Sequence, residues 1–361
     1  MVKKVFTEVF FRKIGLLTVA SILFLIFVGG LVRITGSGMG CPDWPKCFGY
    51  YIPPTDISEL TWTPQKEYKK GQMIIKDERL WEAKQKFTTT QQFDTANWAV
   101  YTKHDYALFN PTHTYIEWVN RMVSVLVGIF MVLTVLSSFQ FWKTKKSIVF
   151  LSIASFFLTL FQAWLGAKVV ESNLDGLKIS VHMLAAFAVV GLVMIAVFKK
   201  HTAVGVERIN NLKWFRAAVY CTIVLTLLQI FYGTQVREAI DHWRDANANN
   251  TSLAWVNAVD YVLASHKALS VFVMAAMLVL FAIAHNRLEK TNAVYKYIAV
   301  GMVLTAVQIA LGSVNVFFNM PAISQVLHVT LAGTLVASQF YVAILLYNNH
   351  KEVKKSSKKN K

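Results

Sequence analysis

Long apolar blocks and shorter polar breaks alternate along this chain. Eight blocks, at 14–34, 114–141, 147–168, 179–198, 214–235, 258–284, 295–316 and 323–347, are predominantly apolar. Each is close to the ~20 residues that an α-helix needs to cross the hydrocarbon of a bilayer. The pattern therefore predicts an all-α integral membrane protein with eight transmembrane helices. An even count places both termini on one side of the membrane. A long polar segment, 35–112, separates the first block from the second.

Self-similarity divides the eight spans into two halves, and corresponding positions in duplicated membrane proteins point to the site. Gln162-Ala163-Trp164-Leu165-Gly166 in the third span matches Gln308-Ile309-Ala310-Leu311-Gly312 in the seventh, at an offset of 146. Twenty residues beyond each Gln stands a histidine, His182 in the fourth span and His328 in the eighth. One offset thus joins two features on consecutive helices. The first and fifth spans correspond through Gly30-Leu31-Val32-Arg33 and Thr234-Gln235-Val236-Arg237, at an offset of 204. The additional 58 residues are the surplus length of the first polar segment. The predicted organisation is a first four-helix half over 1–200 that carries 35–112, a second half over 201–347, and a basic tail over 348–361. The halves are expected to form two pseudo-symmetric four-helix bundles. Applied to the second and sixth spans, the offset of 146 sets Asn120-Arg121 opposite His266-Lys267. The basic residue is kept and the histidine is not.

Composition agrees with the membrane reading, because 55% hydrophobic and 16% charged residues are too apolar a balance for an ordinary soluble protein. Orientation follows from Lys and Arg, which are retained in the cytoplasm. Basic residues crowd the N-terminus (Lys3, Lys4, Arg12, Lys13), the second-to-third break (Lys143, Lys145, Lys146) and the fourth-to-fifth break (Lys199, Lys200, Arg208, Lys213, Arg216). Arg287, Lys290 and Lys296 follow the sixth span, and the tail from Lys351 to Lys361 adds more. These segments hold 21 basic residues against four acidic ones, whereas 35–112 holds nine of each. Both termini are therefore assigned to the cytoplasm and 35–112 to the outside. The same distribution explains the net charge of +17, which sits on short loops beside spans and points to a membrane surface and not to nucleic acid. The first span also has the basic start and apolar core of a signal peptide, but its pairing with the fifth span predicts that it is retained.

Cys41 and Cys47 follow the first span on the outer face, where disulfides persist. Their compartment and short spacing favour a bridge, the alternative being two free thiols. Cys221, in the fifth span, is expected to be a small buried hydrophobe.

A histidine in the apolar part of a membrane helix is a functional-site candidate by default, since its polar ring must find a partner. His182, His266 and His328 all lie in even-numbered spans within about two turns of the outer ends, so they share one depth. Neutral imidazole is an axial ligand of haem iron, and two on facing helices make a bis-histidine site. His266 and His328 are the expected pair; the alternative is a set of helix–helix hydrogen bonds. Glu117 lies three residues before Asn120 and four after His113, so the three share a helix face. A carboxylate there serves a polar site or pairs with Arg121 or Arg33, while His113 is near enough to water to be an interfacial residue. Arg33, Arg121, Arg237 and Lys267 lie near the outer face, where they can meet haem propionates or snorkel to water.

Together these residues resemble the haem A synthase family over nearly the whole chain. The resemblance is carried by Gly-Gly-Leu-Val-Arg-Ile-Thr-Gly-Ser-Gly-Met-Gly-Cys from Gly29 to Cys41, by Trp44-Pro45-Lys46-Cys47, and by Glu117-Trp118-Val119-Asn120-Arg121, which is similar to the family's Glu-x-x-His-Arg. Gln162 to Gly166, His182, His266 and His328 complete it. The resemblance implies oxygen-dependent, stepwise hydroxylation of one haem O methyl group to the formyl group of haem A, for cytochrome oxidase assembly. It implies haem B on His266 and His328, haem O as substrate on the side of His182, O2 as oxidant, Glu117 as the catalytic carboxylate, and Cys41 with Cys47 as the external pair. The implied setting is a bacterial cytoplasmic membrane. Expected partners are the lipid bilayer, a haem O-producing membrane enzyme and an electron donor that the sequence does not identify, and a homo-oligomer is compatible with the pattern. Asn120 departs from the family. It cannot supply an imidazole, so the first half has His182 alone or His113 takes the missing place. Two other classes fit the histidines: a non-catalytic b-type cytochrome passing electrons to or from quinone, and a haem carrier.

Overall fold

The computed structural model describes residues 6–102, 109–202, 205–206, 209, 211–247 and 253–359, with side chains as far as residue 349. Of the residues used to assign orientation, Lys3, Lys4, Lys103, Asp105, Glu207, Arg208 and the side chains of the tail lie outside the described residues.

Nine α-helices form among the described residues: α1 (Glu8–Ile34), α2 (Pro111–Ser138), α3 (Lys146–Glu171), α4 (Gly176–Val197), α5 (Leu212–Ala246), a single turn α6 (Trp255–Ala258), α7 (Asp260–Arg287), α8 (Ala293–Phe317) and α9 (Ala322–Lys359). All but α6 are long and apolar enough to cross a membrane, one for each predicted block. Their most apolar windows are only 17% to 50% buried. Phe150, Phe157, Leu160, Val271, Phe272, Val300 and Val303 stay exposed, a surface that suits lipid and not water.

Local chemistry sets the helix starts. Asn110 caps α2 by accepting from the His113 N–H at 3.2 Å, and Pro111 occupies the first position, where its missing N–H costs nothing. Asn292 caps α8 in the same way, through the Val294 N–H at 2.8 Å. Beyond residue 235, α5 continues to Ala246 through a polar stretch braced by the Arg237–Asp241 ion pair, one helical turn apart.

The chain divides into two compact units, one of Met1–Gly30, Leu126–Ala163 and Gly176–Lys361, the other of Leu31–Val125 and Trp164–Asp175. Of the apolar cores in the first unit, two are the largest. One gathers Phe11, Ile22, Met131, Val149, Val190 and Val193; the other gathers Phe215, Val219, Met277, Leu280, Ile298 and Leu345. Helix α9 contributes to both, with Ala337 and Ile344 to the first and Val342 and Leu345 to the second. Buried hydroxyls are satisfied between helices, Thr18 with Thr134 at 2.9 Å and Thr226 with Gln339 at 2.9 Å, contacts worth about 0.6 kcal/mol each in a bilayer. Cys221 departs from expectation, being exposed on α5. The outward face of a membrane helix meets lipid, which is as apolar as a core, so the thiol gains little by burial.

The second unit is a small α/β module. Strands β1 (Glu67–Tyr68) and β4 (Phe87–Thr88) pair antiparallel. A three-stranded antiparallel sheet has the order β2 (Met73–Lys76), β3 (Arg79–Ala83), β5 (Trp98–Val100). The β2–β3 hairpin turns through Asp77 and Glu78, both at positive φ, as a two-residue hairpin that follows the strand twist requires. Its core is Phe48, Leu60, Met73 and Leu80 around Cys41 and Cys47, with Tyr68, Ile74, Ala83 and Trp98 beside it.

Candidate functional site

In the first unit the three histidines occupy one register. His182, His266 and His328 each stand six residues after the first residue of α4, α7 and α9 respectively. Each is half-buried. The preceding long helix supplies a glutamine to each one's main-chain carbonyl: Gln162 Nε2 of α3 donates to His182 O at 2.8 Å, Gln229 Nε2 of α5 to His266 O at 3.0 Å, and Gln308 Nε2 of α8 to His328 O at 2.8 Å. A helical carbonyl has a second lone pair for such a bond. Gln229 Nε2 also lies 3.3 Å from His266 Nε2. A Cβ at Gly233, one turn beyond Gln229, would stand 3.0 Å from His266 Cε1, tighter than an ordinary contact. Glycine there makes room for the ring.

The rings of His266 and His328 are 6.4 Å apart, centre to centre. That separation suits one metal ion bonded to both at about 2 Å each, once the ring radii are added. The Nδ1 atoms of His182, His266 and His328 are buried and have no hydrogen-bond partner among the described residues. No group of three or more His, Cys, Asp or Glu side chains among the described residues is placed to hold a metal ion by itself. Two imidazoles at this separation, with no third such ligand among the described residues, fit an iron whose remaining ligands come from a porphyrin.

In the second unit Cys41 and Cys47 form a disulfide, and the turn it closes is gripped by α2. Glu117 is 4% exposed; its Oε2 accepts from the Cys41 N–H at 2.8 Å and its Oε1 pairs with Arg121. Arg121 Nη1 donates to Asp43 O at 2.5 Å and Lys46 O at 2.9 Å, and Nη2 donates to Cys41 O at 3.3 Å. Both terminal nitrogens of the guanidinium are thus engaged by the turn and by Glu117. Gly40 lies so close to α2 that a Cβ would stand 2.6 Å from His113 O. Within the turn, Asp43 Oδ2 accepts from the Gly49 N–H at 3.0 Å, and burial holds its carboxyl above the usual carboxylate range, against the pull of the Gly49 and Phe48 backbone bonds and the Arg121 charge. Asn120 is half-buried, with an Oδ1 that has no partner among the described residues. His113 lies in the first turn of α2.

The other expected cations are dispersed. Arg33 is half-buried near the end of α1 and belongs to the second unit. In the first unit, Arg237 bonds to Asp241 and to Gln325, three residues before His328. Lys267, beside His266, is exposed. Gln229 and Gly233 were not among the residues expected from the sequence, although Gln229-Ile230-Phe231-Tyr232-Gly233 repeats the Gln-x-x-x-Gly spacing of the third and seventh spans. Its partner histidine lies 37 residues away, not 20.

Residues 12–340 match the COX15-CtaA family, described as cytochrome oxidase assembly protein. The chain is similar to the protein named Heme A synthase of Ehrlichia ruminantium (strain Gardel), at 24% identity over 89% of this chain and 88% of that one. The protein of the same name from Shouchella clausii (strain KSM-K16) is 22% identical over 94% of this chain and 98% of its own length. With that of Ehrlichia canis (strain Jake) the identity is 25% over 60% of this chain, and the match spans 56% of that relative.

Proposed function

The chain belongs to the COX15-CtaA family of cytochrome oxidase assembly proteins, and from that premise we propose that it is a haem A synthase, a membrane oxidoreductase that converts a methyl group of haem O to the formyl group of haem A. The observation that carries this reading is the pair His266 and His328, in matched register with rings 6.4 Å apart, with His182 in the same register of α4. In the proposed arrangement His266 and His328 hold haem B, and His182 serves the side of the substrate haem O. Haem iron supplies the electron-transfer and O2 chemistry when it is bound. Two rounds of hydroxylation, each using one O2, two electrons and two protons and releasing water, followed by loss of a further water, take the methyl group to the aldehyde.

The protein's own part is placement and proton control. Helices α7 and α9 orient the imidazoles, and Arg33, Arg121, Arg237 and Lys267 are the cations assigned to haem propionates. Glu117 is the carboxylate of the substrate side. Its oxygens hold Arg121 and the Cys41 N–H, so taking up a proton weakens its grip on the disulfide-closed turn, and proton traffic is tied to the position of that turn. The protein lies in the bacterial cytoplasmic membrane with both termini inside. It receives haem O from the membrane enzyme that makes it and electrons from a separate donor.

A second reading, a b-type cytochrome that only passes electrons, draws on Asn120 in place of a histidine and on the engagement of both Glu117 oxygens. Pigment extraction separates the two. Expression with a source of haem O should yield haem A; haem B and unconverted haem O alone would overturn the synthase reading.

A further inference from the structure

We infer that Gln162, Gln229 and Gln308 are positioning residues for the iron-side histidines, each fixing the turn of helix that carries its imidazole; the inference rests on the reading of His266 and His328 as haem ligands. The contact is the same three times. A carboxamide on the preceding long helix donates to the carbonyl of the histidine itself, at 2.8 to 3.0 Å, and not to a neighbouring residue. A bond at that atom sets the rotation and height of the histidine's own Cα, and so where its ring stands. Glycine four residues later completes the device, since Gly233 and Gly312 are the positions where a Cβ would approach His266 Cε1 and His328 Cε1, at 3.0 and 3.5 Å.

The repeat supplies an independent argument. By the offset of 204 the first-span counterpart of Gln229 is Leu25, and by the offset of 146 the counterpart of His266 is Asn120. Gly29 is kept opposite Gly233. Glutamine is therefore present in the three registers that have a histidine and absent from the one that lacks it. A glutamine serving helix packing alone has no reason to leave with the histidine.

Stability does not account for Gln162 and Gln229 either. Gln162 Oε1 and Gln229 Oε1 are buried with no partner among the described residues, and a half-satisfied buried carboxamide is a cost that an apolar side chain of the same shape avoids. The carboxamides are kept for what their N–H groups hold.

The test uses the purified full chain carrying haem B. Gln229→Met and Gln308→Met keep the side-chain volume and remove the donor, and Gln339→Met is the control, because Gln339 is a buried glutamine bonded to Thr226 and not to a histidine. Transfer of haem to an excess of apomyoglobin and the low-spin electron paramagnetic resonance signal are measured. Haem should leave the Gln229 and Gln308 variants roughly tenfold or more faster than wild type, as loss of an outer-shell partner typically does. The low-spin signal should broaden or give way to high-spin iron, with the control unchanged. Release rates and signals equal to wild type in both variants, or an equal effect in Gln339→Met, would overturn the inference while leaving the haem site standing. Absence of a low-spin signal in the wild-type protein would instead overturn the reading beneath it, and the inference with it.

Discussion

Glu117 and Arg121 sit one turn apart on α2, with side chains only 5% and 12% exposed. Stranding one member of a pair so enclosed costs about 3–5 kcal/mol, so an alanine at either position tests folding before it tests chemistry. Glu117→Gln is the informative change. A glutamine keeps an oxygen for the Cys41 N–H and loses the charge and the titratable proton. Under the proposed function it should leave the haem B spectrum intact and stop haem A formation, read by pigment extraction from cells supplied with haem O; full conversion would remove Glu117 from the chemistry and leave it a brace for the turn. His113 is the contrasting case. Seven residues from Asn120, it is about 10 Å away along the helix at 1.5 Å per residue, a large distance for a ligand to the same iron. His113→Ala should keep most of the activity, and complete loss in a folded protein would mean that His113 has taken the ligand's place.

At the scale of elements, the turn closed by Cys41–Cys47 is held by three backbone carbonyls on Arg121 and one backbone N–H on Glu117, which makes it a part of the end of α2 more than a free loop. Its cysteines should react with a membrane-impermeant thiol reagent in intact cells only after reduction; labelling without reduction would contradict the bridge, and labelling only in broken cells would reverse the proposed topology. None of these backbone partners is visible in a sequence, because a carbonyl carries no residue identity. The spanning helices are legible for the opposite reason, since about 20 apolar residues in a row admit few other structures. Their ends are less so: α5 runs on to Ala246 through charged residues that hydropathy cannot follow. Strands of two to five residues are too short for a two-residue alternation to stand out within 35–112. Burial is misread at Cys221 because a membrane helix does not need to hide its apolar side chains.

At the scale of the whole molecule, the sequence repeat sets a histidine pair against a histidine and an asparagine, and under the proposed function this has a measurable consequence. The later copy of the repeat has both histidines, with ring centres 6.4 Å apart. The first half keeps His182 and its glutamine, while the register opposite His266 holds Asn120, whose amide oxygen and nitrogen do not replace an imidazole as an axial ligand to iron. A bis-histidine site is six-coordinate and low-spin, whereas a haem held by one histidine keeps an open position, which is what oxygen activation requires and what a stable resident cofactor does not. The chain purified from cells that make haem B but no haem O should therefore carry a single low-spin haem per polypeptide. His266→Ala and His328→Ala should each abolish that signal while the protein still inserts into the membrane. His182→Ala should leave the signal unchanged and, in cells that make haem O, stop haem A formation. Retention of the low-spin signal in both second-half variants, or its loss in His182→Ala, would show that the resident haem and the substrate side have been assigned to the wrong halves.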